Sequence, residues 1–156
     1  MASQRALEHG AWQVENENAL GFWPQAGNVV AVGIDLADIS AVRESIEHFG
    51  AQYLDRLFTP GERAECARSA DPAPHYAARF AAKEATLKAL MIDGSIPPWT
   101  CIEVQREDSG RCRMNLTGSA ARIATDKGID VLLVSLSHEA DMAVAIVVAT
   151  TSNRGG

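Results

Sequence analysis

Two long apolar runs, separated by a few polar residues, dominate the C-terminal part of the sequence. They lie within DVLLVSLSHEADMAVAIVVAT (residues 130–150), which is rich in Val, Leu and Ala. Apolar runs of this length, bounded by polar residues, are typical of strands, so we predict two strands joined near His138 to Asp141. We expect a domain this small to leave part of so apolar a hairpin for another chain to cover.

The first regular element predicted is a strand over residues 29–36, VVAVGIDL. Side chains alternate between the two faces of a strand. One face carries Val30, Val32, Ile34 and Leu36, and the other carries Val29, Ala31, Gly33 and Asp35. The pattern predicts a well-buried strand that ends in an acid. Asp38 or Ser40 is expected to cap the following helix, which runs from about residue 39 to 49 and stops at Gly50.

The remaining elements are predicted from turn and cap signals. Thr59, Pro60 and Glu62 form the pattern of a capping box that opens a short helix. Residues 75–90 predict the longest helix, and a turn at SGR joins TCIEVQRED and CRMNLTG into a hairpin. SAARIATDKG predicts a helix capped by Ser119 and stopped at Gly128. Because helices and strands do not alternate strictly, we predict an α+β fold with a small, mostly antiparallel sheet packed on a long central helix.

Length and composition limit the class of protein. With 156 residues, 47% of them hydrophobic and 22% charged, the chain fits one domain at residues 29–150, between an N-terminal extension (1–28) and a C-terminal tail (151–156). The net charge of −6 and the pI near 5.1 argue against nucleic acid or an anionic membrane as a partner. The three widely spaced cysteines form no metal motif or disulfide framework. This cysteine pattern leads us to expect a reduced, cytoplasmic setting. No run approaches the ~20 apolar residues of a membrane helix.

Two charged residues of the predicted long helix, Glu84 and Lys88, border its apolar face. In RFAAKEATLKAL, a helical projection places them beside Phe80, Leu87 and Met91. They can form an i,i+4 ion pair worth roughly 0.2–0.5 kcal/mol on a solvated edge. They can also present a carboxylate and an ammonium group to a substrate, and the helix by itself does not decide between these interpretations.

Other polar residues narrow the chemistry. Ser137 and His138 are neighbours on a strand, so their side chains point to opposite faces, and the GxSxG motif of serine hydrolases is absent. The phosphate-binding motifs GxGxxG and GxxxxGK[ST] are absent as well. Asp35 and Glu84, without a Cys or His cluster, suit Mg²⁺, which takes one or two carboxylates and completes its shell with substrate phosphates. This combination suggests phosphoryl-type transfer.

Each candidate also has a structural interpretation. Asp35 can cap the next helix, as Asp often does at the start of helices. His138 can be a surface residue of a turn, and Arg79 and Lys83 can form an exposed basic edge.

Five short stretches follow one another along the chain: GIDL (33–36), RLFTPGE (56–62), RFAAKEATLKAL (79–90), IEV (102–104) and VSLSHEADMAVAIVV (134–148). Together they resemble the holo-acyl-carrier-protein synthase family of phosphopantetheinyl transferases, from about residue 29 to 149. The resemblance implies the 4′-phosphopantetheinyl transferase fold. It also implies transfer of the phosphopantetheine arm of coenzyme A to a serine of an apo carrier protein, with release of 3′,5′-ADP.

The resemblance assigns roles to individual residues. Asp35 and Glu84 are expected to bind Mg²⁺ with the CoA diphosphate, and Lys88 to contact the phosphates and assist the leaving group. The residues expected to contact CoA are Arg79, Lys83, Ser137 and His138, with Arg79 and His138 near the nucleotide and its 3′-phosphate. The residues expected to dock the carrier are Arg43 and Arg56. Short members of the family form homotrimers with active sites at subunit interfaces, so the implied partners are CoA, a carrier protein and further copies of the chain.

Two features depart from the family's pattern. MIDGSIPPW (91–99) replaces the glycine-rich turn that usually follows the long helix, and Ala41 stands where the first helix often has an arginine. The carrier is therefore left open among fatty-acid, polyketide and peptide-synthase carriers. Two other functions remain as alternatives: another Mg²⁺-dependent phosphotransferase or diphosphate hydrolase, and a CoA-binding scaffold module without turnover.

Overall fold

The computed structural model describes residues 28–152. Most of the predicted N-terminal extension and most of the predicted C-terminal tail lie outside the described residues, so the domain bounds 29–150 stay a prediction. No helix in the described part of the chain is long and apolar enough to cross a membrane.

Residues 28–152 form five strands, five α-helices and one 3₁₀ turn. In chain order these are β1 (Asn28–Asp38), α1 (Ile39–Phe49), α2 (Ala51–Leu57), α3 (Pro60–Cys66), α4 (Ala73–Ala89), the 3₁₀ turn (Trp99–Cys101), β2 (Ile102–Arg106), β3 (Cys112–Leu116), α5 (Gly118–Asp126), β4 (Val131–Glu139) and β5 (Met142–Thr151). Strands β1, β5 and β4 form an antiparallel sheet in that order, and β2 pairs with β3 in a second antiparallel sheet. The predicted α+β class, with antiparallel sheets and a long helix, is confirmed.

Local signals set several element ends. The Asp38 side chain accepts a hydrogen bond from the Ala41 N–H at 3.0 Å and caps α1. The Thr59 and Glu62 side chains each accept from the other's backbone N–H, which is the predicted capping box of α3. The predicted Ser119 cap is wrong, because α5 begins at Gly118 and Ser119 lies in its first turn. Helix α2 had no sequence prediction.

Helix α4 packs across one face of the three-stranded sheet through small side chains. Its fully buried residues on this side include Ala81, Ala82, Ala85 and Ala89, and the facing strand β5 buries Ala143, Ala145, Val147 and Ala149. Because alanine side chains are short, the helix and sheet backbones approach one another closely. The closest approach lies at Gly33 of β1, where a Cβ atom would stand 1.9 Å from the Ala85 carbonyl oxygen.

The opposite face of this sheet is apolar and exposed. Ile34 is 57% exposed and Leu36 61% exposed, and Val30 and Val32 are exposed as well. Strand pairing places Ile34 opposite Ile146 and Asp38 opposite Met142, and both of these β5 residues are also exposed. The predicted well-buried strand is therefore wrong for this face, because no element among residues 28–152 forms a second layer over it. We call Val32, Ile34, Leu36, Met142 and Ile146 the open sheet face.

Candidate active site

Asp35, Glu84 and Lys88 lie together where β1 crosses α4, and we call them the Asp35 cluster. The Lys88 ammonium donates to Asp35 Oδ1 at 2.6 Å and to the Ile34 carbonyl oxygen at 2.9 Å. Burial raises the pKa of Glu84, the negative charge of Asp35 raises it further, and Lys88 opposes both effects. The structure thus brings together the three residues predicted to be catalytic.

Gly33 allows this meeting of strand and helix. Asp35 lies two residues beyond Gly33 on the same strand face, which is the face that packs on α4. Any side chain at position 33 would separate β1 from α4 and would carry Asp35 away from Glu84. Gly33 thus accommodates a close contact between the backbones of β1 and α4.

Gly33→Ala is expected to lower both stability and activity. The new Cβ would lie 1.9 Å from Ala85 O and 2.9 Å from Ala89 N, both backbone atoms of α4. Overpacking of this kind costs about 1–3 kcal/mol or more, and thermal denaturation with a transfer assay would measure both effects. Gly94→Ala is the matched control, because a Cβ at Gly94 meets nothing within 4 Å. Equal melting temperatures for the two variants would contradict this account.

Asp35 and Glu84 are the side chains here that can hold a divalent cation. Among residues 28–152, no three His, Cys, Asp or Glu side chains converge as a metal site. Two carboxylates are nevertheless sufficient protein ligands for Mg²⁺, which usually keeps water and substrate phosphates in its other positions. The raised pKa of Glu84 fits such a role, because a cation between the two carboxylates would offset both the burial and the Asp35 repulsion that raise it.

A second group of polar residues lines a cavity of about 460 Å³. We call its residues His75, Arg79, Arg106, Ser137 and His138 the basic pocket. The His75 and His138 rings meet edge to face, with centroids 5.6 Å apart. Arg79 is only 4% exposed, its Nη1 donates to the His75 carbonyl oxygen at 3.3 Å, and its Nε has no hydrogen-bond partner among the described residues. The donors of this pocket suit an anionic group.

The Asp35 cluster and the basic pocket lie on different sides of α4. From Arg79 to Glu84 the helix turns through about 140° and rises about 7.5 Å. Asp35 belongs to the edge strand β1 and His138 to the opposite edge strand β4, with β5 between them. A single copy of the chain therefore does not gather all of the predicted site residues at one point.

Lys83 lies in neither group. It is fully buried, and its ammonium forms an ion pair with Glu62 at 2.8 Å and donates to the carbonyl oxygens of Trp99, at 3.0 Å, and Ile102. Burial lowers the pKa of Lys83, and Glu62 opposes this effect. The structure does not support the prediction that Lys83 contacts CoA, because protein groups enclose its ammonium.

The two arginines predicted to dock the carrier differ in environment. Arg43 of α1 makes a two-pronged ion pair with Asp71, at 2.7 and 2.9 Å. The Asp71 carboxylate raises the pKa of Arg43, and Arg43 lowers the pKa of Asp71. Arg56 lies in the last turn of α2. The charge of Arg43 is thus already compensated within the chain, which leaves Arg56 as the better candidate.

Comparison with known proteins assigns the family. The model of the 4′-phosphopantetheinyl transferase superfamily matches residues 31–147. A holo-[acyl-carrier-protein] synthase of Desulforudis audaxviator is 45% identical over 122 residues, which cover 78% of this chain and 92% of that protein. The chain belongs to the 4′-phosphopantetheinyl transferase superfamily.

Solved structures of the superfamily have a similar fold. The holo-ACP-synthase of Plasmodium yoelii aligns with a TM-score of 0.72 and 25% identity, covering 83% of this chain and 100% of that one. The Helicobacter pylori holo-[acyl-carrier-protein] synthase in complex with coenzyme A aligns with a TM-score of 0.66 and 27% identity, covering 76% and 99%. The predicted family and its fold are confirmed.

The sequence analysis did not identify two residues of the basic pocket, His75 and Arg106, as site residues. His75 lies one turn before Arg79 on α4, so helical spacing offered a signal for it. Arg106 lies at the end of β2, and no local pattern connects it with α4 or β4.

Proposed function

We propose that the chain transfers the 4′-phosphopantetheine arm of coenzyme A to a serine of an apo acyl carrier protein and releases 3′,5′-ADP. The Asp35 cluster carries this proposal, because it places two carboxylates and an ammonium together in a member of a phosphopantetheinyl transferase superfamily. The CoA complex of the Helicobacter pylori relative supports CoA as the substrate.

The reaction forms one phosphorus–oxygen bond and breaks another. The carrier serine oxygen attacks the phosphorus that bears the pantetheine arm, and the bond from that phosphorus to the bridging oxygen of the diphosphate breaks. The hydroxyl proton leaves the serine, and the bridging oxygen departs with 3′,5′-ADP. A Mg²⁺ ion held by Asp35 and Glu84 would supply positive charge against the oxygens of the diphosphate.

Lys88 is the residue we assign to the leaving group. Its side chain is 54% exposed, so its ammonium can meet a substrate while still near Asp35. Negative charge grows on the bridging oxygen as the bond breaks, and a fixed cation nearby stabilises that charge.

We further propose that the active assembly is a homotrimer. A ring of identical contacts would cover the open sheet face and would bring the Asp35 cluster of one copy to the basic pocket of its neighbour. Two features support this arrangement: the apolar character of the open sheet face, and the separation of the two groups within one copy. The cytoplasm is the proposed compartment, which agrees with the three free thiols Cys66, Cys101 and Cys112.

Ile34→Asp is expected to dissociate this assembly and to abolish transfer. An aspartate in the middle of an apolar interface would bury an unpaired charge. Light scattering at the protein concentration of the assay would give the mass of the particle. Ile96→Asp is the control for the mass measurement, because Ile96 is also exposed but lies in the loop after α4. A wild-type chain that is monomeric and fully active would overturn the proposed assembly.

Intact-mass measurement of apo-carriers is the test of the activity. The chain is incubated with CoA, Mg²⁺ and candidate carriers from fatty-acid, polyketide and peptide synthases, and the mass gain of one phosphopantetheine is expected on at least one of them. A carrier with Ser→Ala at its modification site should gain nothing. Release of free 4′-phosphopantetheine without a carrier would instead indicate a diphosphate hydrolase. CoA binding without any turnover would indicate a scaffold.

A further inference from the structure

One residue of the basic pocket, His75, has no role in the proposed chemistry. It lies on α4 one turn before Arg79 and meets His138 of β4 edge to face. Its backbone carbonyl accepts a hydrogen bond from Arg79, which fixes the Arg79 guanidinium beside the backbone of His75. His75 therefore stands at the wall of the cavity in a fixed relation to the two residues predicted to lie near the nucleotide.

The pocket is built to receive an anion. The Arg79 Nε is buried and has no acceptor in the described part of the chain, although buried donors are nearly always paired in proteins. The cavity that Arg79 shares with His138 has no carboxylate side chain among its lining residues, whereas an adjoining cavity that Arg79 also lines contains Glu65, Glu107 and Asp108. Its volume, about 460 Å³, is far larger than a single phosphate group needs. An anionic group attached to a larger molecule, such as a nucleotide, fits both observations.

We propose that His75 is a further phosphate-binding residue of this site and that, beside His138, it takes up a proton when the 3′-phosphate of CoA binds. The proposal rests on the proposed function, since it names the group of CoA that this pocket holds. It adds one residue to the nucleotide contacts, and it makes CoA affinity dependent on pH in the neutral range.

The electrostatic surroundings of His75 explain this dependence. Burial lowers the pKa of His75, and its neighbours Arg79, His138 and Arg106 lower it further, whereas Asp71 raises it. These effects together favour the neutral ring of His75 in the free protein. Further charged residues line the pocket or the adjoining cavity: Glu65, Arg68, Glu107, Asp108 and Arg111.

A bound phosphate reverses the balance between the neutral and the protonated forms of the His75 ring. Its two negative charges favour the protonated ring and raise the pKa of His75. The contribution of His75 to affinity is then fully present below the pKa of the free protein and is lost as the pH rises through the pKa of the complex.

Titration calorimetry with CoA on the full-length chain tests the proposal, near pH 6 and near pH 8, which bracket the usual histidine pKa. His75→Gln is expected to weaken CoA binding about tenfold near pH 6, the loss of one charge-assisted hydrogen bond, and by less than about twofold near pH 8. The titration of the ligand's own phosphate cancels in the ratio of the two affinities at each pH, because wild type and variant bind the same ligand. Dephospho-CoA, which lacks the 3′-phosphate, should bind equally to both proteins.

Two further variants separate charge from packing. His48→Gln removes an exposed histidine of α1 and should leave the pH dependence unchanged. His75→Lys fixes a positive charge at the site and should keep tight binding at both pH values. If His75→Gln fails to fold, His75→Lys decides the matter, because a pH dependence equal to that of wild type would overturn the proposal.

Failure of this inference is distinguishable from failure of the proposed function. If wild type transfers the arm but His75→Gln and wild type show the same pH dependence of CoA affinity, His75 does not bind the phosphate. An equal loss of affinity for dephospho-CoA would also overturn the proposal. If wild type binds no CoA and modifies no carrier, the proposed function itself is wrong.

Discussion

Glu84→Gln is expected to reduce transfer of the phosphopantetheine arm by at least about a hundredfold, the scale of losing one transition-state charge contact. The amide keeps the size of the side chain but removes the charge that would hold Mg²⁺ beside Asp35. The stability of the folded state should not fall. Burial and the Asp35 charge raise the pKa of Glu84, which means that the ionised carboxylate costs stability at neutral pH. An unchanged or higher melting temperature is therefore expected.

The matched control is Glu44→Gln, at an exposed position on α1. It makes the same chemical change away from the Asp35 cluster, and it should leave the turnover number for CoA unchanged. A wild-type transfer rate in Glu84→Gln would remove the assignment of Glu84 as a metal ligand. A large loss of stability in that variant would show that the carboxylate is a structural group.

Lys83→Met is expected to lower the free energy of unfolding by about 3–5 kcal/mol, the usual cost of breaking a buried ion pair from one side. The change leaves the Glu62 carboxylate buried without its partner. Two carbonyl oxygens, those of Trp99 and Ile102, also lose a donor. Urea unfolding followed by circular dichroism would measure the effect.

Lys88→Met is the control on the same helix. The Lys88 pair with Asp35 is partly exposed, and pairs of this kind contribute about 0–1 kcal/mol. Lys88→Met should therefore fold nearly as stably as wild type but should lose turnover. The two variants thus have opposite expected profiles, and similar stability losses in both would contradict the roles assigned here. Adding Glu62→Gln to Lys83→Met should recover part of the lost stability, because the buried charge is then removed.

Features that depend on neighbouring residues were accessible from the sequence. The Thr59 capping box formed as predicted, and of the two caps predicted for α1 the structure has Asp38; both features involve residues three positions apart. Glu84 and Lys88 are one helical turn apart, so their shared side of α4 followed from helical spacing. Asp35 lies far from Glu84 and Lys88 in the sequence, and only the family resemblance placed it in the same site.

Features that depend on distant parts of the chain were not accessible. The family resemblance assigned Lys83 to CoA, but the burial of Lys83 depends on Glu62 from α3 and on the carbonyl of Trp99. Arg106 reaches the basic pocket only because the β2–β3 hairpin lies near α4 and β4. The open sheet face was predicted to be buried because an apolar strand face must be covered, and the sequence does not say whether the same chain or another one covers it.

Within one copy, the Asp35 cluster and the basic pocket are separated, and this separation has a genetic consequence if the chain forms the proposed homotrimer. Two inactive alleles, one encoding Glu84→Gln and the other Arg79→Ala, would damage opposite halves of each interfacial site. Co-expressed in one cell, their products would assemble at random, and about a quarter of the sites would combine an intact Asp35 cluster from one copy with an intact pocket from its neighbour. Two mutations that are each lethal in a dependent strain would then complement one another within a single gene.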